Sequence, residues 1–213
     1  MKIPVFSYLC FLLLVSCHAK NQRDTSSIDH EKKTDSNLFI RPETSVNPYA
    51  QVDISPMDMC YFPVDYPKLK MAKAINTPPL ARVIYSRPHL QGRHIFHEVL
   101  KYGEPWRLGA NESTELTFYS DVTIQGKKIN AGRYVIYCIP EADKWTFVLN
   151  SNIDSWGLEP DPAKDVARFI IPATHTNTSL EYFTMLFEKT SAGVDLLMAW
   201  DNVEARLPIS FQP

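Results

Sequence analysis

Trp106, Arg107, Asn111 and Glu112 fall in one short stretch, after the turn-forming Gly103-Glu104-Pro105 and just before an alternating run that begins at Glu115. Each side chain type has a use in recognition. A guanidinium presents planar donors that suit a carboxylate or a phosphate, an indole face suits a sugar ring or a stacked cation, and a carboxylate can accept from hydroxyls or act as a general acid or base. Arg87 and Arg93 lie a little upstream, each beside a Pro or Gly that restricts the backbone. Together the six residues describe a binding region for an anionic or glycan-like ligand. The same residues also allow a structural corner, in which Arg107 and Glu112 neutralise each other and the arginines satisfy Glu98, Glu104 and backbone carbonyls.

Other constellations carry less. His89, His94 and His97 with Glu98 resemble a metal cluster only loosely, because zinc hydrolases use two histidines at i and i+4 with a third ligand. No Gly-x-Ser-x-Gly elbow is present, and neither Cys60 nor Cys138 has a His-adjacent or Gly-rich context. Glu112 with Glu115, and Asp161 with Asp165, are paired carboxylates of the kind usually solvated on β-rich surfaces. The sequence calls for no cofactor.

The elements that must position these groups read as sheet. Ala81 to Ser86 is the first clear strand, and Pro88 holds Arg87 extended at its end. Further strands are expected at Thr117–Ile124, Lys127–Asn130, Arg133–Ile139, Trp145–Asn150, Ala167–Ile171, Glu181–Glu188, Val194–Trp200 and Ala205–Phe211. Gln125-Gly126 and Ala131-Gly132 supply tight connections, and Lys189 to Gly193 a hairpin-like turn. His94 to Leu100 fits a short helical turn. Between Val52 and Pro79, five prolines argue against a regular helix or a central strand, while Met57, Met59, Tyr61, Phe62 and Tyr66 predict an ordered arm lying on the domain. The fold expected over residues 51–213 is therefore one all-β domain of about nine strands, a mostly antiparallel sandwich or jelly roll with an extended N-terminal arm.

Residues 1–16 have the form of an export signal, with Lys2 followed by an apolar run too short to span a bilayer. Leu14-Val15-Ser16-Cys17 resembles the bacterial lipobox, which would place lipid on Cys17. The membrane is then a partner through that anchor, and the cell envelope, at the outer membrane, is the expected location. Residues 17–50 are polar and charged, as in a flexible tether. Loss of Lys2 takes the formal net charge from −2 to −3 with no basic block, so nucleic acid is not an expected partner. Cys60 and Cys138 would remain in an exported compartment, where pairing and free thiols are both open.

Ile84-Tyr85-Ser86-Arg87-Pro88, Gly92-Arg93, Tyr102-Gly103 with Trp106-Arg107, Gly109-Ala110-Asn111-Glu112, and Ala131-Gly132-Arg133-Tyr134 resemble the bacterial domain-of-unknown-function family 2911. The resemblance runs from about Ser55 to Phe211. It implies an all-β domain, exported and often lipid-anchored, of a kind common in Bacteroidetes-type bacteria, and it brings no activity. Where this family usually has glycine, the chain has His97.

Three functions are compatible with these residues. The first is a lipid-anchored envelope protein that binds a ligand or partner through Arg87, Arg93, Trp106, Arg107, Asn111 and Glu112. The second is a hydrolase of an envelope glycan with Glu112 as general acid or base, and the third a purely structural interaction module.

Overall fold

The structure is a computed structural model and describes residues 53–211 other than Ala192. The expected export signal, Cys17 and the expected tether lie outside the described residues. Residues 47–213 form a compact unit of their own, which holds every described element and the whole core, as an independently folding domain does.

Nine strands make one antiparallel sheet. In chain order they are β1 (Met57–Phe62), β2 (Ala81–Ser86), β3 (Thr114–Phe118), β4 (Val122–Ile124), β5 (Lys127–Ile129), β6 (Gly132–Pro140), β7 (Lys144–Asn150), β8 (Asp165–Thr190) and β9 (Gly193–Phe211). Across the sheet the order is β1-β2-β3-β6-β7-β8-β9-β4-β5. β8 pairs with β7 through Pro172 and with β9 from Ala173 onward, so a single strand passes from one layer to the other. The β1 end of the order then comes back against β8 and β9. The Phe62 ring of β1 stacks on Phe211 of β9 at 5.3 Å and lies 6.2 Å from Phe187 of β8. The product is an all-β, sandwich-like domain with its core between the layers.

Alternation explains why these segments are strands. In β3, Thr114, Leu116 and Phe118 are buried while Glu115 and Thr117 are half-exposed. β6 and β7 sit in the middle of the sheet and are buried on both faces, which suits their runs of Val, Ile, Tyr and Phe. The core is aromatic at its centre. Trp106 lies 5.9 Å from Trp145 edge-on, 4.9 Å from Phe183 and 5.8 Å from Trp200, and all four rings are buried.

Three expectations change. Thr117–Ile124 is not one strand but the end of β3 and the whole of β4, because the chain leaves β2 and β6 near Ser120 and joins β9 and β5. The pairs expected at 167–171 with 181–188, and at 194–200 with 205–211, are each one continuous strand. The Pro-rich arm contains both a strand and a helix. β1 occupies the sheet edge, where proline-flanked strands are tolerated, and the helix α1 (Tyr66–Met71) carries Pro67 in its first turn, where a missing N–H costs nothing. The turn expected at His94 to Leu100 is a single π-type turn over Ile95–Val99. Cys60 and Cys138 are both free thiols, half-buried and buried respectively.

Candidate functional site

The loop from Lys101 to Ser113 is pinned to the sheet at several points. Trp106 exchanges both backbone hydrogen bonds with Cys138, at 2.7 and 2.8 Å, and so extends the β6 edge beyond β3. Its indole N–H donates to the Gly109 carbonyl at 3.1 Å, and the Thr114 hydroxyl donates to the Leu108 carbonyl at 2.6 Å. Ser86 accepts from the Ala110 N–H at 3.1 Å and donates to the Ala110 carbonyl. Gly109 packs so closely that a Cβ there would stand 3.1 Å from the Ser86 carbonyl oxygen. The loop is therefore a rigid shelf.

Arg107 stands on that shelf in an unusual state. Its Nε is buried with no hydrogen-bond partner, and no ion pair to its guanidinium forms among the described residues. Burial pushes its pKa down, because a cation leaving water is not repaid by an opposite charge. Two clefts meet at this side chain, one of about 230 Å³ and one of about 220 Å³, and Val99, Leu100, Trp106 and Arg107 line both. The larger is walled by Lys101 and Glu104, which pair with each other at 3.5 Å, and by Gly157 and Leu158. Gly157 has φ +80, and a Cβ there would fall 2.3 Å from the Ser113 hydroxyl and 3.3 Å from Arg107 Cβ. Ser113 in turn donates to the Ser155 carbonyl at 2.7 Å, which fastens the 155–158 loop to the shelf.

The other residues singled out in the sequence go to different places. Arg87 bridges the layers: Nε donates to the Phe183 carbonyl at 3.1 Å, Nη2 to Thr184 at 3.0 Å, and Nη1 to Asp58 at 3.2 Å. Arg93 turns back on its own loop and donates to the Leu90 and His89 carbonyls. Asn111, at φ 54, donates to Asp53 at 2.7 Å and holds the chain that enters β1. Glu112 is exposed, lines neither cleft, and makes no hydrogen bond or ion pair among the described residues, so it does not neutralise Arg107. Trp106 belongs to the core, and its ring faces are taken by Trp200 and Phe183. Of the six residues, only Trp106 and Arg107 share a cleft.

The exposed tryptophan on the loop that walls the larger cleft is instead Trp156, next in the chain to Gly157 and 56 % exposed, although its own side chain lines neither cleft. Its signal was there: Asp154-Ser155-Trp156-Gly157 sits between turn formers and prolines, with no alternating neighbours to give a tryptophan a sheet to pack on. His89 stacks on Tyr182 at 5.1 Å and lies 3.5 Å from Glu181, whereas His94 faces Asp201 at 4.0 Å. The two histidines thus meet different carboxylates. Among the described residues no group of three or more His, Cys, Asp or Glu side chains is placed to hold a metal.

Residues 67–209 match the family described as a protein of unknown function, DUF2911, and the chain belongs to it. Comparison with curated proteins gives no match, and neither does comparison with solved structures.

Proposed function

We propose that this domain is the binding part of a lipid-anchored cell-envelope protein, and that it takes an anionic, glycan-like ligand at the Arg107 cleft. The observation that carries the reading is the half-buried Arg107 guanidinium, whose Nε is buried without a hydrogen-bond partner. A cation partly withdrawn from water with one buried nitrogen unsatisfied carries a desolvation cost, and a carboxylate or phosphate entering the cleft would relieve it through charge-assisted, bidentate hydrogen bonds. Trp156 offers a ring face on the adjoining loop for the apolar side of a sugar. The shelf that carries Arg107 is rigid, so little ordering is lost on binding. Arg87, Arg93 and Asn111 support the site at a distance by holding the surrounding loops.

The test is a thermal-shift and calorimetry screen of residues 47–213 against uronic acids, sugar phosphates and peptidoglycan fragments. One class should raise the melting temperature of the parent, Arg107→Ala should abolish the shift, and Trp156→Ala should weaken sugar acids more than simple carboxylates. A shift that survives Arg107→Ala, or a parent indifferent to every anionic sugar, refutes the reading. The anchor is tested separately, by loss of fatty-acid labelling and of membrane association in Cys17→Ala.

A further inference from the structure

A second concavity lies away from Arg107. It is a groove of about 750 Å³ between β1, α1 and the outer part of β8, within the range of cavities that hold small organic ligands, roughly 300–1,000 Å³. Its origin is topological. β1 ends the sheet order, and over Thr184–Thr190 β8 pairs with β9 on one side and with no named strand on the other. The two edges approach without pairing, and α1 lies along the gap.

The lining is apolar. Met59, Val64, Met71, Leu186 and Phe187 supply most of it. Met59, Val64 and Met71 stand 51 %, 62 % and 81 % exposed, a contiguous apolar surface of the kind that marks an interaction site. The two tyrosine hydroxyls at the groove are already engaged, Tyr61 with the Met59 sulfur at 3.0 Å and Tyr66 with the Thr77 carbonyl at 3.2 Å. Methionine at two wall positions lets the groove adapt to a flexible chain. One charge lines it. The Lys70 ammonium reaches the Asn76 carbonyl at 3.3 Å and meets no carboxylate among the described residues.

We propose that this groove binds a single-chain anionic amphiphile, a free fatty carboxylate, with its chain along Met59, Leu186 and Phe187 and its headgroup at Lys70. Charge complementarity selects the occupant: an apolar slot with one unpaired cation at the mouth fits a molecule with one tail and one negative head. A neutral apolar peptide would leave Lys70 unused, and a polyanion would find no second cation in the lining. The site is independent of the Arg107 cleft, and the two stand or fall separately.

Displacement of a dansyl-labelled undecanoate from residues 47–213 tests this. Octanoate, decanoate and dodecanoate should compete in rising order, by about fourfold for each added methylene. Lys70→Glu, a change on an exposed helix, should weaken dodecanoate by about three- to fivefold, as loss of an exposed charge pair does, and strengthen dodecyltrimethylammonium. Met59→Glu should weaken both. The switch in headgroup preference shows that the Lys70→Glu protein is folded. No displacement by any fatty carboxylate, no chain-length dependence, or a Lys70→Glu protein with unchanged preference overturns the proposal. So does binding to phosphatidylglycerol vesicles without binding of the free acid, which would assign the groove to a bilayer surface.

Discussion

The hydroxyl of Tyr85 in β2 accepts from the Met185 N–H at 2.9 Å and donates to the Met185 carbonyl at 3.2 Å, so one side chain satisfies both backbone groups of a residue in the opposite layer. Tyr85 is 2 % exposed and Met185 is equally buried. Removing the hydroxyl leaves a buried donor and a buried acceptor at once. Tyr85→Phe should therefore cost about 1–3 kcal/mol, the penalty for unsatisfied buried polar groups, with little change in the slope of urea unfolding. A loss below about half a kilocalorie per mole in a urea titration would mean that water reaches Met185.

Burial also sets how the domain responds to alkali. Desolvation pushes the Tyr85 hydroxyl, the Tyr137 hydroxyl and the Cys60 thiol each up to about 12, and the carboxylate of Asp165 beside Tyr137 adds to its rise. These are acids whose protonated form the fold favours, so the unfolded chain loses their protons first as pH rises. Their contribution is intact below the ordinary thiol and phenol values near 9 and 10 and is lost as pH climbs toward 12. Urea melts should show stability falling steadily above about pH 9, and Tyr137→Phe should flatten the decline. A flat profile to pH 11 would count against the burial of these groups.

Arg107 and Arg87 should behave oppositely on truncation. Arg87 holds three partners across two layers, and Arg87→Ala should destabilise by about 1.5–3 kcal/mol, the range for hydrogen bonds to charged groups. Most of that loss belongs to the Phe183 carbonyl and Thr184. The pair with Asp58 is 33 % and 42 % exposed, and a double-mutant cycle should give it less than about 1 kcal/mol. Arg107→Met should leave the melting temperature unchanged or raise it, because it removes an unsatisfied buried nitrogen and keeps the packing of the stem. Thermal melts of the two variants side by side decide the matter.

Gly157 is a position where one added methyl group should do damage. Its backbone is left-handed, and a Cβ would strike Ser113, whose hydroxyl is already tied to Ser155. Gly157→Ala should cost about 1–3 kcal/mol for the backbone conformation, and more once Ser113 is displaced. Because the same loop walls the Arg107 cleft, ligand-dependent stabilisation should fall with it, which thermal-shift assays read directly.

The parts of the fold visible in the sequence are those where burial alternates within one pairing environment, such as β3, β6 and β7. Period alone cannot register a change of neighbour. Leu116, Phe118, Val122 and Ile124 all point inward at even spacing, so two strands in different layers look like one. The reverse holds in β8, where residues 174–182 are largely exposed and carry no alternation, and pairing to β9 crosses them only through two register shifts around Leu180. The prolines of the arm argue against a regular helix or a central strand, but Pro67 sits at the first turn of α1, where its ring fits. At the site, the types and positions of Trp106 and Arg107 could be read, but not their environments. Pairing of Trp106 with Cys138 is non-local, and the isolation of Arg107 is an absence of partners, which residue types cannot announce.

The passage of β8 between the layers, with β9 paired to its far part, governs how the chain comes together. β9 supplies Leu196, Met198, Trp200, Val203, Leu207 and Ile209 to the core, and among the described strands it alone ties β4 and β5 to the rest of the sheet. A polypeptide delivered N-terminus first therefore has no closed interior until its last strand arrives. β1 to β7 can collapse, but they lack the ring of Trp200 that Trp106 and Phe183 pack against. Such late closure keeps the chain loose while it is being synthesised and makes completion abrupt, with the slow kinetics expected of long-range β pairing. Arrested nascent chains ending before Gly193 should be cut by protease throughout, and chains extending past Phe211 should resist it.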